Sequence, residues 1–176
     1  MALINYVKKE EATGQIEDIY TMIENKMHVV PNAIQFHSAS PEFFGKIMNV
    51  FNHFSEHPSL DPVSVAYIRM LISNIAGGEY CVRFQSKLLL YMKVTQEAIE
   101  QAKGDYNLIQ LDEKRKSLVC FVLDEMFDKM DNAEQRINEL RKLGWADKDI
   151  YEASIIGALQ KGMVQLLKTF KVEIDF

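Results

Sequence analysis

The stretch that decides the fold is residues 60–86, which read LDPVSVAYIRMLISNIAGGEYCVRFQS. The pair Asp61–Pro62 combines a side chain that caps helix N-termini with a proline suited to the first helical position. Apolar residues then continue to the pair Gly77–Gly78, which breaks the segment. We therefore expect one helix before the glycines and a second helix after them, with Cys81 in the first turn of the second.

The remainder of the chain also has the pattern of helices. No stretch alternates polar and apolar residues with period two, so we predict an all-α fold. The expected helices cover residues 13–27, 41–55, 61–76, 79–92, 95–103, 111–130, 132–143 and 147–170. Apolar residues cover wide faces of 111–130 and 147–170, which predicts that both are buried on more than one side. Gly104 and Gly144 directly follow periodic segments, where a left-handed helix end favours glycine.

Composition limits the functional classes. The 176 residues are 48% apolar and 26% charged, with a net charge of -5, which is typical of a globular protein with a real core. Phosphate binding favours a basic stripe, and none is present, so we expect no nucleic-acid partner. No apolar run approaches the ~20 residues that span a bilayer, so we expect no membrane partner.

Two further expectations concern the organisation and the location of the protein. No linker or repeat divides the chain, so we expect a single domain over residues 1–176. The chain has two cysteines and its first residues lack the pattern of a signal peptide, which indicates a reducing, cytoplasmic location.

The order of residues in 60–86 resembles the redox segment of the alkylhydroperoxidase D-like, carboxymuconolactone decarboxylase-like family. There, Leu-Ser-Pro-x-x-x-Glu precedes Asn-x-Cys-x-Tyr-Cys-Val-x-x-His. Similar stretches elsewhere extend the resemblance over residues 12–174, and they are Ala12–Tyr20, Val29–Ala33, Ser40–Phe43, Leu140–Ile150 and Phe170–Glu173. The resemblance implies an alkylhydroperoxidase D-like helical fold, a homo-oligomer between dimer and hexamer, and an ancestral reduction of peroxides by a thiol pair.

Most of the residues that this chemistry needs are replaced here. The family's first Cys falls on Gly78, its His on Gln85 and its relay Glu on Ala66. A dithiol peroxidase needs an attacking thiolate, a resolving thiol and a proton carrier, and none of these three residues supplies one. Residues 160–165 also differ from the Phe-Asn-x-x-Asn-Arg motif that relatives often carry. The chain therefore has no internal Cys-x-x-Cys cycle at this site.

Three residues stay as candidates for remaining chemistry. Cys81 matches the family's second cysteine, and at the start of a helix it can serve as a one-thiol nucleophile. The alternative is that Cys81 is an inherited, small, buried residue. Cys120 lies in an apolar row, where it is either a core thiol or a replacement partner for Cys81. His37 is a candidate replacement for the missing base.

The sequence gives no motif for a metal or a cofactor. His53 and His57 have the i, i+4 spacing of metal ligands, but no carboxylate or cysteine completes a recognisable set. Gly77–Gly78 lacks the preceding strand and the spaced glycines of a nucleotide-binding loop. We therefore expect neither a metal nor a cofactor.

These observations leave two main hypotheses. The first is a peroxidase-related protein with little or no peroxidase turnover, which binds a small apolar ligand or acts as a structural oligomer. The second is an antioxidant one-cysteine peroxidase that uses Cys81 and an external thiol reductant. A lactone decarboxylase or isomerase, from the family's other branch, needs acid and base residues that the sequence does not identify.

Overall fold

The computed structural model describes residues 2–176 and contains no strand within them. The predicted all-α fold is therefore confirmed. Its α-helices are α1 (Gly14–Met27), α2 (Asn32–Phe36), α3 (Pro41–Ser55), α4 (Pro62–Ile75), α5 (Glu79–Tyr91), α6 (Gln96–Gly104), α7 (Glu113–Met126), α8 (Ala133–Lys142) and α9 (Asp147–Thr169). Short 3-10 turns lie at Lys9–Glu11, His37–Ala39 and Tyr106–Leu108. Within the same residues no helix is both long and apolar enough to cross a bilayer.

The chain forms two compact units. One comprises the residues up to Glu56 together with Leu166–Phe176, and the other comprises His57–Gln165. The expectation of one domain over residues 1–176 stays a prediction.

The first unit has its core between α1 and α3. The buried apolar residues of this core are Tyr20, Ile23, Val30, Phe44, Ile47 and Met48. Tyr20 packs edge to face against Phe44, with ring centroids 5.7 Å apart. Its hydroxyl donates to the Val7 carbonyl at 2.8 Å, so the aromatic ring is buried without leaving its polar atom unpaired.

In the second unit, α4 begins where the sequence predicts it. The Asp61 carboxylate accepts hydrogen bonds from the backbone N–H groups of Val63 and Ser64, both at 3.1 Å, and Pro62 occupies the first helical position. Nearly every residue from Ser64 to Ser73 is buried. Because α4 is covered almost all round, its polar side chains have little access to bulk water.

Helices α7 and α9 also pack closely within this unit. Six consecutive residues of α7, Leu118–Leu123, are buried, which confirms that this helix is covered on more than one side. A Cβ atom on Gly157 of α9 would stand 2.6 Å from a methyl group of Val122. This distance is too short for any side chain, so glycine allows the two helices to approach.

Three helix ends test the sequence-based boundaries. Gly144 has a φ of 85°, and the N–H of Trp145 bonds to the Leu140 carbonyl at 3.1 Å, which confirms the left-handed end of α8. Gly104 was expected to form such an end and does not, because it is the last residue of α6 and has no positive φ. Helix α7 stops four residues before the predicted position 130, since Asp128 adopts a φ of 55°.

Candidate functional site

The turn between α4 and α5 positions the candidate site. Gly77 has a φ of 68°, a left-handed conformation that glycine adopts without strain. Its N–H bonds to the Asn74 carbonyl at 3.2 Å, and the N–H of Gly78 bonds to the Ser73 carbonyl at 2.7 Å. This paired arrangement is a Schellman helix end. Helix α5 then begins at Glu79, and Cys81 lies in its first turn as predicted.

The Cys81 thiol contacts polar side chains from two other helices. It is 7% exposed, and Ser73 of α4 and Gln160 of α9 lie beside it and lower its pKa. The Gln160 amide N–H also donates to the Ser73 hydroxyl oxygen at 2.9 Å. Ser73 donates its own hydroxyl proton to the Arg69 carbonyl at 2.6 Å.

Burial decides the protonation state of this thiol. Burial raises the pKa of Cys81, and the neighbouring polar side chains of Gln160 and Ser73 and the charge of Arg69 offset only part of that rise. The thiolate is the nucleophilic form of cysteine. At neutral pH the thiol is therefore mostly protonated, which is the opposite of an activated peroxidase cysteine.

Arg69 is a site residue that the sequence analysis missed. It lies three residues after Ala66 and four before Ser73, so the three share one row of α4. Burial lowers the pKa of the Arg69 guanidinium, and the Cys81 sulfur is its electrostatic neighbour. Within residues 2–176 the guanidinium makes no ion pair and no hydrogen bond. The three-residue spacing between Ala66 and Arg69 was the sequence feature that could have identified Arg69 as a site residue.

The remaining relay position, Gln85, lies one turn after Cys81 on the same face of α5. Gln85 is 6% exposed, and its side-chain amide has no hydrogen bond within the described part of the chain. The hydroxyls of Tyr67 and Ser86 are also fully buried and have no partner there. Buried polar groups are rarely left unpaired, so helices α4 and α5 carry an unusual number of free hydrogen-bonding groups.

The space next to Gly78 is filled. A Cβ atom at this position would stand 2.7 Å from both methyl groups of Val164 on α9. Valine is branched at Cβ and has few rotamers, so its methyl groups cannot move away without cost. The volume that a second thiol would need at Gly78 is therefore occupied by an apolar side chain.

Cys120 lies in different surroundings from Cys81. Its sulfur is 4.0 Å from the Tyr106 carbonyl, and it borders a surface cavity of about 390 Å³ that Lys116 and Arg136 also line. Burial, followed by the charge of Asp124, raises the pKa of Cys120. Both cysteines are free thiols. The role of Cys120 as a replacement partner stays a prediction.

His37 belongs to the first unit, in the 3-10 turn after α2. Its ring lies 5.7 Å from that of Phe51 and 6.1 Å from that of Phe36. Burial lowers the pKa of His37 to about 4, so it is a neutral and weak base at pH 7. Its role as a replacement base for Cys81 stays a prediction.

His57 has a structural role in the second unit. Its Nδ1 atom accepts the backbone N–H groups of Ser59 and Leu60 at 3.1 and 2.9 Å, and its Nε2 atom bonds to the Glu152 carboxylate. Both ring nitrogens are therefore engaged in fixing the segment before α4. No group of three or more His, Cys, Asp or Glu side chains within residues 2–176 is arranged to hold a metal ion.

Solved structures share this architecture. A peroxidase-related protein with an alkylhydroperoxidase AhpD core, from Ralstonia eutropha JMP134, superposes with a TM-score of 0.87 at 15% identity, covering 99% of this chain and 92% of that one. A peroxidase-related protein from Silicibacter sp. TM1040 gives 0.81 at 15% identity, covering 90% and 84%. The debrominase Bmp8, as a cysteine-to-alanine variant in complex with 2,3,4-tribromopyrrole, gives 0.79 at 17% identity, covering 99% and 92%.

The chain therefore has the alkylhydroperoxidase D-like fold of peroxidase-related proteins, as the resemblance implied. No protein-family model matches the sequence, and no curated protein matches it. At these identities the likeness establishes the fold alone. The chemistry of this chain has to be argued from its own residues.

The contact between Gly78 and Val164 predicts a specific pattern of stability. We expect Gly78→Cys alone to lower the free energy of unfolding by about 1–3 kcal/mol, because the new side chain overlaps the Val164 methyl groups. Gly78→Cys combined with Val164→Ala should recover most of that loss. Urea unfolding followed by circular dichroism measures both.

Gly162 provides the matched control for this measurement. A Cβ atom at Gly162 of α9 would meet no atom within 4 Å, so Gly162→Cys should not destabilise the protein. Equal unfolding free energies for Gly78→Cys and Gly162→Cys would show that the space beside Gly78 is open.

The protonation of Cys81 can be followed by pH titration. In a Cys120→Ser background, we expect the thiolate ultraviolet absorbance to rise only above pH 9.0, because burial raises the pKa of Cys81 above that ordinary value. Gln160→Leu should move the titration to still higher pH, because it removes a hydrogen bond that lowers this pKa. A midpoint below pH 8 would contradict the prediction.

Proposed function

We propose that this chain is a peroxidase-related protein with little or no peroxidase turnover, whose Cys81 site binds a small ligand. The observation that carries the proposal is the position of Val164, whose methyl groups occupy the space of the missing thiol beside Gly78. The packing beside Gly78 thus leaves room for the Cys81 sulfur and not for a second one. A dithiol peroxidase needs a resolving thiol within bonding reach of the attacking one, and no such thiol fits here without repacking.

The protonation state of Cys81 supports the same proposal. A thiol whose pKa is raised by burial is a poor nucleophile at neutral pH. Gln85 and Ala66, at the positions of the proton relay, do not exchange protons near pH 7. The site has polar groups that hold a ligand and none that carries a proton through a peroxidase cycle.

The nature of the ligand follows in part from the fold neighbours. Bmp8 is a debrominase whose cysteine-to-alanine variant was solved with 2,3,4-tribromopyrrole, a small aromatic molecule. A protein of this fold therefore binds a compact ring. We propose a small, largely apolar molecule as the ligand of the present site, consistent with the expectation from the sequence.

A one-cysteine peroxidase is the second candidate, and the polar contacts of Cys81 favour it. Gln160, Ser73 and Arg69 each act to lower the pKa of Cys81. In such a cycle, the thiolate forms a bond to one peroxide oxygen, the O–O bond breaks, and the other oxygen leaves as an alcohol or water after protonation. The resulting sulfenic acid condenses with an external thiol, releasing water, and a second thiol reduces the mixed disulfide.

Peroxide consumption distinguishes the two candidates. We expect hydrogen peroxide and cumene hydroperoxide, each with dithiothreitol, to be consumed by the wild type and by Cys81→Ser at rates within about twofold, because the neutral thiol attacks peroxide slowly. Cys120→Ser serves as the matched control. A rate that depends on Cys81 but not on Cys120 would establish the one-cysteine peroxidase instead.

We also propose that the protein is a homo-oligomer, between dimer and hexamer. The support is the exposure of large aromatic side chains in the second unit, where Tyr91 is 83% exposed and Tyr151 is 66% exposed. Exposed aromatic groups are enriched at interfaces between subunits.

Gel filtration with light scattering tests this assembly. We expect a mass that is a multiple of 20.3 kDa, because the exposed aromatic side chains are covered when copies associate. A monodisperse monomer at micromolar concentration would exclude the oligomer and leave the proposal for the Cys81 site unaffected.

A further inference from the structure

Arg69 carries a positive charge that no carboxylate within residues 2–176 neutralises. Its side chain is largely buried, and within residues 2–176 its guanidinium has neither a carboxylate partner nor a hydrogen-bond acceptor. Removing a charge from water without pairing it is unfavourable. Ala66 lies three residues earlier on the same row, where the resembling family has a glutamate, so this chain lacks a carboxylate one turn from Arg69.

The acidic residues that begin α4 and α5 are engaged elsewhere. Glu79, at the start of α5, pairs with Arg83 at 2.5 Å. Asp61 caps α4 and lies 3.4 Å from Arg115. Neither carboxylate is left to neutralise Arg69, and the Ser73 proton is used by a backbone carbonyl.

The groups that face Arg69 are suited to an anion. Helices α4 and α5 pack against each other, and Ser73 and Arg69 are neighbours of Cys81, so the row Ala66–Arg69–Ser73 of α4 lies along the row Cys81–Gln85 of α5. Gln85 is 6% exposed and its amide is unpaired, so it has two N–H groups to donate. An arginine fork and an amide donor together match the two oxygens of a carboxylate.

We propose that Arg69 binds the carboxylate of a small organic anion at the Cys81 site, with Gln85 donating a second hydrogen bond. This inference rests on the proposed binding function and specifies the ligand class. One guanidinium supplies one positive charge, which a monoanionic carboxylate neutralises. The proposed apolar body of the ligand makes an aromatic carboxylate the appropriate probe.

Benzoate is that probe, and benzamide is its neutral counterpart. We expect calorimetric titration to show that benzoate binds the wild type and that benzamide binds about tenfold more weakly or not at all, since a charge-assisted hydrogen bond is lost. Sodium chloride at the same ionic strength should not reproduce the heat of benzoate binding. An identical response to chloride and benzoate would overturn the proposal, because it would indicate general ion binding.

Two arginine variants locate the binding. Arg69→Gln should weaken benzoate binding by about tenfold or more, whereas Arg69→Lys, which keeps the charge, should retain part of it. Arg83→Gln is the matched control, because Arg83 lies on the adjacent helix but is exposed and paired with Glu79. Benzoate affinity that is unchanged in Arg69→Gln, or lost equally in Arg83→Gln, would overturn the proposal.

Stability without ligand separates a binding role from a packing role. Because Arg69 is unpaired, Arg69→Gln should leave the melting temperature of the ligand-free protein unchanged or raise it. A marked fall in melting temperature, with the fold otherwise intact, would assign Arg69 to packing and overturn the proposal. Peroxide turnover that depends on Cys81 would refute the proposed function independently of any benzoate result.

Discussion

The Ser73 hydroxyl is the constraint on which the chemistry of the site depends. It donates to the carbonyl one turn earlier in α4 and accepts from Gln160 of α9. A hydroxyl has one proton and two lone pairs, so these two contacts use its proton and one of its lone pairs. The Cys81 thiol beside it stays mostly protonated at neutral pH, because burial raises its pKa more than its polar neighbours lower it. Three helices meet at this one oxygen, and their arrangement fixes where the sulfur lies.

The distribution of charge follows from the same arrangement. The positive charge of Arg69 is partly desolvated, since burial lowers its pKa, and the protonated thiol does not neutralise it. In a site that ran a thiolate cycle, the sulfur itself would be the natural counter-ion. Here the Cys81 sulfur stays neutral, so the Arg69 guanidinium remains available to pair with an anionic ligand. The two findings therefore support each other in favour of binding rather than turnover.

The sequence predicts the helices that border this site better than the side chains that α9 brings into it. Asp61–Pro62 and Gly77–Gly78 are local signals, because capping and left-handed turns depend on a few adjacent residues, and the structure confirms the helices that they delimit. Gly104 is different, because a glycine that ends a helix need not adopt a positive φ. Val164 and Gln160 lie more than 75 positions from Cys81 in the sequence. Their contacts depend on the packing of α9, which no local pattern specifies.

The tight fit of Val164 against Gly78 also bears on how such a site changes over generations. With valine in place, a cysteine that arises at position 78 meets a steric penalty before it offers any redox advantage. The smaller residue on α9 has to arise first, when it brings only a small void and no benefit. The two positions are therefore epistatic. A change to a dithiol site is therefore disfavoured by the order of the steps as well as by their number.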